Sequence, residues 1–229
     1  MMSEIYTGRI VDADRDGITI RTPVPAFYTK REYDQVNVEF IDGRPISNDQ
    51  RKKAWAIMTD IARWAGTSKD ETYILFRWRF TQSITESLKR KLFHLSSATM
   101  TEAREFINYL IVFVLDFDVP LRVPLYENSD DIEFYMKQCL IHKKCAVCGK
   151  SAQLHHVDRV GSHGGSRATI NHIGLNAYAL CAEHHKQLHD IGQAEFDQRY
   201  HFKPVPIDAE IAKIYKLNTK GKKESYDAL

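Results

Sequence analysis

Nowhere does this chain carry an unbroken apolar run near the ~20 residues that a membrane-spanning helix needs. A membrane span is therefore not expected. The opening residues, MMSEIYTGRI, lack the apolar core of a secretory leader, and a cytoplasmic address is expected. Charge of one sign is also scarce: 32 Lys and Arg against 30 Asp and Glu leave a net charge of +2. Bulk charge does not announce a nucleic-acid binder, so any basic surface must come from local clustering. Internal repeats are absent. Cysteine is sparse, and three of the four residues, Cys145, Cys148 and Cys181, fall in one His-rich segment while Cys139 stands apart. In a reducing compartment clustered cysteines bind metal more often than they pair. Histidine is nearly missing from the first 140 residues: His94 stands alone there, and the other nine lie between His142 and His201. That skew locates the chemistry.

What is present reads as an ordinary globular α+β chain, long enough for two modest domains or one large one. YTGRIV and GITIRT flank the turn-like DADRDG, as in a β-hairpin with a longer loop, and VNVEFI alternates like a strand before Asp42-Gly43. Ser47 with Gln50 three residues on forms a capping-box signature. Ala54, Ile57, Met58, Ile61 and Ala65 then recur at helical spacing, and Gly66 is a stop signal. A second helix is expected from about Asp70 through TYILFRWRF. A third starts near Thr101, with Phe106, Tyr109, Leu110, Phe113 and Val114 as its stripe. These aromatics are assigned to core packing. VPLRVPLYENSDD has the composition of a linker, which places the expected boundary at residue 128, with domains 1–128 and 129–229. A short helix, IEFYMKQCLIHKK, leads into the cluster. The Lys-rich end, with KGKK, reads as a mobile tail.

Two metal sites can be read between Cys145 and His189. Cys145-x-x-Cys148, with Gly149 for the tight turn, and Cys181-x-x-His184 make a Cys₃His set suited to a closed, structural Zn²⁺ that staples a small domain. His185 and His189 lie four apart on one helix face, about a quarter turn from the face bearing Cys181 and His184. His155, arriving from a strand, is the third ligand of a second, open site that leaves room for water and a phosphate oxygen. Its neighbour His156 points to the opposite strand face, and is suited to act as a general base rather than a ligand. Asn176 is placed to hold the loop and orient His156, with Asn171 as a rival. The glycines of GSHGGSR let backbone approach a phosphodiester, and Arg159 and Arg167 flank them. His163 and His172 read as loop histidines. Three imidazoles suit Zn²⁺, Ni²⁺ or Mn²⁺; Mg²⁺ prefers oxygen ligands.

In order and spacing, His155-His156, Asn176 and the CxxHHxxxH of residues 181–189 resemble the HNH endonucleases over about residues 145–189. The resemblance implies two strands and a helix around one catalytic divalent metal, with His156 as base, Asn176 as its support and His155, His185 and His189 as ligands. The flanking cysteines resemble members with an added zinc knuckle, although His184 stands where those members have a fourth cysteine. The chain is thus expected to be a metal-dependent hydrolase of DNA phosphodiesters.

Residues 44–120 resemble, more loosely, the phage recombination mediators called NinB or Orf. RPISNDQRKKAWAIMTDIARW and LSSATMTEAREFINYLIVFVLDFDVPL carry the likeness. It implies a dimeric module that binds single-stranded or branched DNA, works with single-strand-binding protein, and acts in host cytoplasm. Arg51, Lys52, Lys53, Arg77, Arg79, Lys89, Arg90 and Lys91 are the candidate phosphate contacts. Two other classes stay open. One is a non-catalytic mediator whose HNH-derived module only binds zinc and DNA. The other is a restriction or homing endonuclease whose first domain reads sequence.

Overall fold

A computed structural model of the chain describes residues 8–15, 17–22, 43–85, 92–158 and 170–219. The chain forms two compact units, Met1–Ile41 and Asp42–Leu229. In the first, the expected hairpin is present. β1 (Arg9–Ala13) pairs antiparallel with β2 (Ile18–Arg21), Ile10 opposite Ile20, with a bulge between Ile10 and Asp12. Asp14 closes the turn: its N–H donates to the Gly17 carbonyl and its carboxylate accepts from the Gly17 N–H. A short acceptor side chain competing for local N–H groups is what favours Asp there. The strand read in VNVEFI lies outside the described residues, as does the KGKK tail.

The second unit opens with three long helices. α1 (Asn48–Ala65) starts at the predicted capping box: Ser47 Oγ accepts from Gln50 N–H, and Gln50 Oε1 accepts from Ser47 N–H. It stops at Gly66, whose φ of +69° suits a residue without Cβ. After α2 (Lys69–Thr85), α3 (Met100–Phe117) repeats the device with Thr99 and Glu102. Phe80, Phe93 and Phe106 form a triangle with ring centroids 4.7 to 5.2 Å apart, in the buried core as expected. Trp78 differs. Two residues from both Phe76 and Phe80, it sits on the far side of α2 and is 54% exposed.

The linker-like segment is fastened to α1. The buried carboxylate of Asp60 accepts from the Arg122 N–H and Nε at 3.0 and 2.7 Å. Gln50 Nε2 donates to the Met100 carbonyl and to Asp130 Oδ2, and Lys53 Nζ donates to the Ser129 carbonyl. One turn of helix, α4 (Leu125–Asn128), forms there. Residues on both sides of position 128 share one buried cluster, from Phe106 and Leu110 to Tyr135, Met136, Cys139 and Leu140 of α5 (Ile132–His142).

The rest of the unit is built on a three-stranded antiparallel sheet ordered β3 (Gln153–His156), β4 (Asn176–Leu180), β5 (Val205–Pro206). α6 (Ala182–Ile191) follows β4 after one residue, then α7 (Gln193–Tyr200) and, past β5, α8 (Ala209–Tyr215). Ala177 to Leu180 are all fully buried, so β4 is covered on both faces. The α+β expectation holds, with a β3–β4–α6 unit as its chemical end. No helix among the described residues is long and apolar enough to cross a membrane.

Gln50 caps α1 and also ties α3 and the 119–131 segment to it. Gln50→Ala should lower stability by about 2–3 kcal/mol, against about 1 kcal/mol for Ser47→Ala. Urea denaturation measures both; equal losses would mean that the amide's two tertiary bonds contribute nothing.

Candidate metal centres and active site

Two groups of metal-ligating side chains converge among the described residues, and α6 serves both. Cys145 and Cys148 lie on a tight turn between α5 and β3. The Cys145 N–H donates to the Lys150 carbonyl, the Gly149 N–H donates to the Cys145 carbonyl, and Gly149 has φ +70°. The buried Tyr135 hydroxyl braces this turn by donating to the Ala146 carbonyl at 2.6 Å. Cys181 directly follows β4 and is the N-cap of α6, which puts His184 in the first turn beside it. Cys148 and Cys181 Sγ are 3.7 Å apart, and His184 Nδ1 lies 3.5 and 3.2 Å from Cys145 and Cys181 Sγ. A tetrahedral Zn²⁺ needs edges of about 3.8 Å between sulfurs and about 3.6 Å between sulfur and nitrogen, given bonds of about 2.3 and 2.0–2.1 Å. The donor set and its spacing fit such an ion, all four positions being taken by protein.

Burial pushes the Cys145 thiol up to about 12 and raises Cys148 as well. At Cys181 burial acts the same way, but hydrogen bonds from the His184 N–H and neighbouring groups outweigh it and lower the thiol. Burial also lowers His184, favouring the neutral imidazole that ligates. Cys139 is different: wholly buried in the core, with its thiol raised to about 12 by burial, it is a packing residue.

The second group is His155, His185 and His189, each of which offers one ring nitrogen within 4.8 Å of those of the other two. His155 Nδ1 is 2.7 Å from His185 Nε2. That is a hydrogen-bond distance, so the two imidazoles already meet nitrogen to nitrogen. His155 is buried, His185 half-buried and His189 exposed. The group therefore has a closed floor and an open side. A cation held by these three neutral imidazoles would keep positions for other ligands.

His156, one residue on, faces the other way along β3. Its Nε2 is 2.9 Å from Nδ1 of His172, which is only 2% exposed. His172, expected as a loop histidine, is thus in a loop but inside the protein. Nothing in the sequence pairs two residues 16 positions apart, so periodicity could not find it. Asn176 acts through its main chain: its N–H donates to Asp158 Oδ2 at 2.6 Å and its carbonyl accepts from the Val157 N–H. These bonds tie the residues after His156 to β4. Asn171 uses its side chain locally, accepting from the Ile173 N–H.

Of the candidate phosphate contacts, Arg51 and Lys52 line a shallow concavity on α1 with Trp55, Asn48, Ala56 and Thr59. Lys53 instead pairs with Asp49 at 3.0 Å, and Arg77 lies over the Tyr73 ring and against His94 Nδ1. Arg79 is exposed. Lys89, Arg90, Lys91, Arg159 and Arg167, with His163 and the GSHGGSR glycines, lie outside the described residues.

A strand histidine, a helical histidine pair and a separate Cys/His knuckle fall in one ββα unit. Compared with known families, residues 26–218 match the family described as "Putative HNHc nuclease". The match spans most of the chain, and the protein belongs to this HNH nuclease family. No curated protein and no solved structure gave a match.

Cys148→Ser should release one equivalent of bound metal and cost about 4 kcal/mol or more, the scale of losing a structural ion. Cys139→Ser should leave metal content unchanged. Elemental analysis with thermal melts checks both; full metal content in Cys148→Ser would reject the knuckle assignment.

Proposed function

We propose that this protein is a metal-dependent endonuclease that hydrolyses DNA phosphodiesters. The observation that carries the reading is that the Cys₃His knuckle uses one set of α6 side chains while three further imidazoles converge beside it. A purely structural zinc module has no need of the second group. The triad of His155, His185 and His189 would hold one divalent cation, which when bound supplies positive charge against a phosphate oxygen and the developing transition-state charge. His156 accepts the proton of the attacking water. Asn176 keeps residues 157 and 158 on β4, which fixes where His156 leaves the strand. The knuckle, most simply filled by Zn²⁺, holds the first turn of α6 in place.

The helical part of the chain binds the substrate in this reading. On α1, Trp55 packs against Tyr73 with ring centroids 5.3 Å apart, and Arg51 and Lys52 flank it. Aromatic rings between cations suit a single strand, whose bases stack while its phosphates are neutralised. Single-stranded or branched DNA is the proposed substrate class. A role in phage recombination, with single-strand-binding protein and a second copy of the chain as partners, rests on the likeness of residues 44–120 alone.

Cleavage of single-stranded, duplex and branched DNA across several divalent ions tests the activity. His156→Ala should lose about 10²–10⁴-fold in rate while keeping its metal, whereas His185→Ala should lose both metal and activity. If wild type cuts under no ion, the non-catalytic mediator reading replaces this one. If His156→Ala cuts as fast as wild type, the base lies elsewhere.

Arg51→Ala combined with Lys52→Ala should weaken single-strand binding and reduce the slope of log affinity against log salt by about 1.4, two contacts at about 0.7 each. Fluorescence anisotropy at several salt concentrations measures it; an unchanged slope would remove this face of α1 from the contact surface.

A further inference from the structure

We propose that Asp158 is a positioning residue whose carboxylate closes the β3–β4 ladder and so fixes the backbone that carries His156, a role that rests on His156 being the base. His156 faces Ala177 in the last register pair of the two strands. One step on, the Val157 N–H donates to the Asn176 carbonyl at 2.8 Å. Opposed residues in an antiparallel ladder alternate between pairs that exchange both main-chain bonds and pairs that exchange none. Val157 and Asn176 fall in the first kind, so His156 and Ala177 fall in the second. The main-chain N–H and carbonyl of His156 therefore point away from β4. That strand holds the His156 backbone through the rungs on either side, His155 with Tyr178 before it and Val157 with Asn176 after it.

The later rung departs from regular pairing. A regular ladder would send the Asn176 N–H to the Val157 carbonyl. It donates instead to Asp158 Oδ2, at 2.6 Å. A carboxylate on the next residue has taken the place of a main-chain carbonyl. Being charged, it is the stronger acceptor. Being on a side chain, it lets the chain bend at Val157 and Asp158 while the Asn176 N–H stays paired. The donor is itself fixed. The Gly174 N–H donates to the Ile207 carbonyl, and the Ile207 N–H returns to the Leu175 carbonyl. The His172 N–H donates to the Asn218 carbonyl at 3.0 Å, and the Asn218 side-chain amide donates to the Ile170 carbonyl at 3.0 Å. The start of β4 is thus stitched to the end of β5 and to the stretch after α8. Asp158 belongs to neither metal-ligating group, so its loss removes no ligand from them. What its loss does remove is half of the rung that follows His156.

The test compares full-length, zinc-loaded wild type, Asp158→Ala, Asp158→Asn, Asn176→Ala and His156→Ala on single-stranded and branched DNA, with the divalent ion that supports the fastest cleavage. Asp158→Ala should lower kcat about 10–100-fold at unchanged KM and unchanged metal content. Asp158→Asn keeps an acceptor oxygen and should regain most of the loss. Asn176→Ala keeps the N–H that donates and should lose less than Asp158→Ala. In ¹H–¹⁵N spectra the main-chain amide at position 176 should be downfield and slow to exchange in wild type, Asp158→Asn and Asn176→Ala, and should lose both properties in Asp158→Ala. Wild-type kcat in Asp158→Ala, an amide at 176 indifferent to that substitution, or an equal loss in Asn176→Ala overturns the proposal. Should Asp158→Ala melt early, Asp158→Asn decides it: a lost kcat with the amide signal at 176 intact overturns the proposal, and both retained together support it. A wild type that cuts neither DNA, or a His156→Ala variant as fast as wild type, instead sinks the underlying base assignment, and this proposal with it.

Discussion

The chemical end of this protein depends on the turn at Cys181. β4 is buried from Ala177 to Leu180, and one residue separates it from α6. The Cys181 carbonyl accepts from the His185 N–H at 2.8 Å, so this residue starts the helix while its side chain faces the knuckle. A helix launched from a buried strand has little freedom in direction or in rotation about its axis. Its first turn therefore presents His184 to Cys145 and Cys181, and its next face presents His185 and His189 to His155. Both clusters inherit their positions from that one junction.

Burial grades the site in a way that suits its division of labour. In the knuckle Cys145 and Cys181 are buried and Cys148 is exposed; burial drives Cys145 toward the neutral thiol, and a bound cation would supply the charge that favours the thiolate. The imidazole triad runs from buried His155 to exposed His189. The first arrangement excludes further ligands and the second admits them. The pair of adjacent histidines on β3 is divided by the strand's own alternation, one ring turning toward α6 and the other toward His172.

The helical part and the chemical part are joined by polar bonds at the segment with the composition of a linker. Asp60, Gln50 and Lys53 on α1 bind Arg122, Asp130 and Ser129. Prolines and paired aspartates lower helix propensity, but they say nothing about whether the extended chain is bonded to a neighbour. A single buried cluster from α3 to α5 reinforces the connection.

Much of this was legible because it is local. The capping box at Ser47 and Gln50, the stop at Gly66 and the core stripe of α3 are set by contacts three or four residues apart. So is the CxxHHxxxH spacing, which alone places two ligand pairs on adjacent helix faces. The hairpin turn at Asp14 to Gly17 is local in the same sense. Three features became visible only in the tertiary structure: the partnership of His156 with buried His172, the clamp on that loop by Asn218, and the bonds from α1 to residues 122–130. Each joins an irregular segment to residues 16 or more positions away, where no period relates the partners. Periodicity says which side of an element is apolar; which loop comes to lie against it is decided by packing of the whole chain.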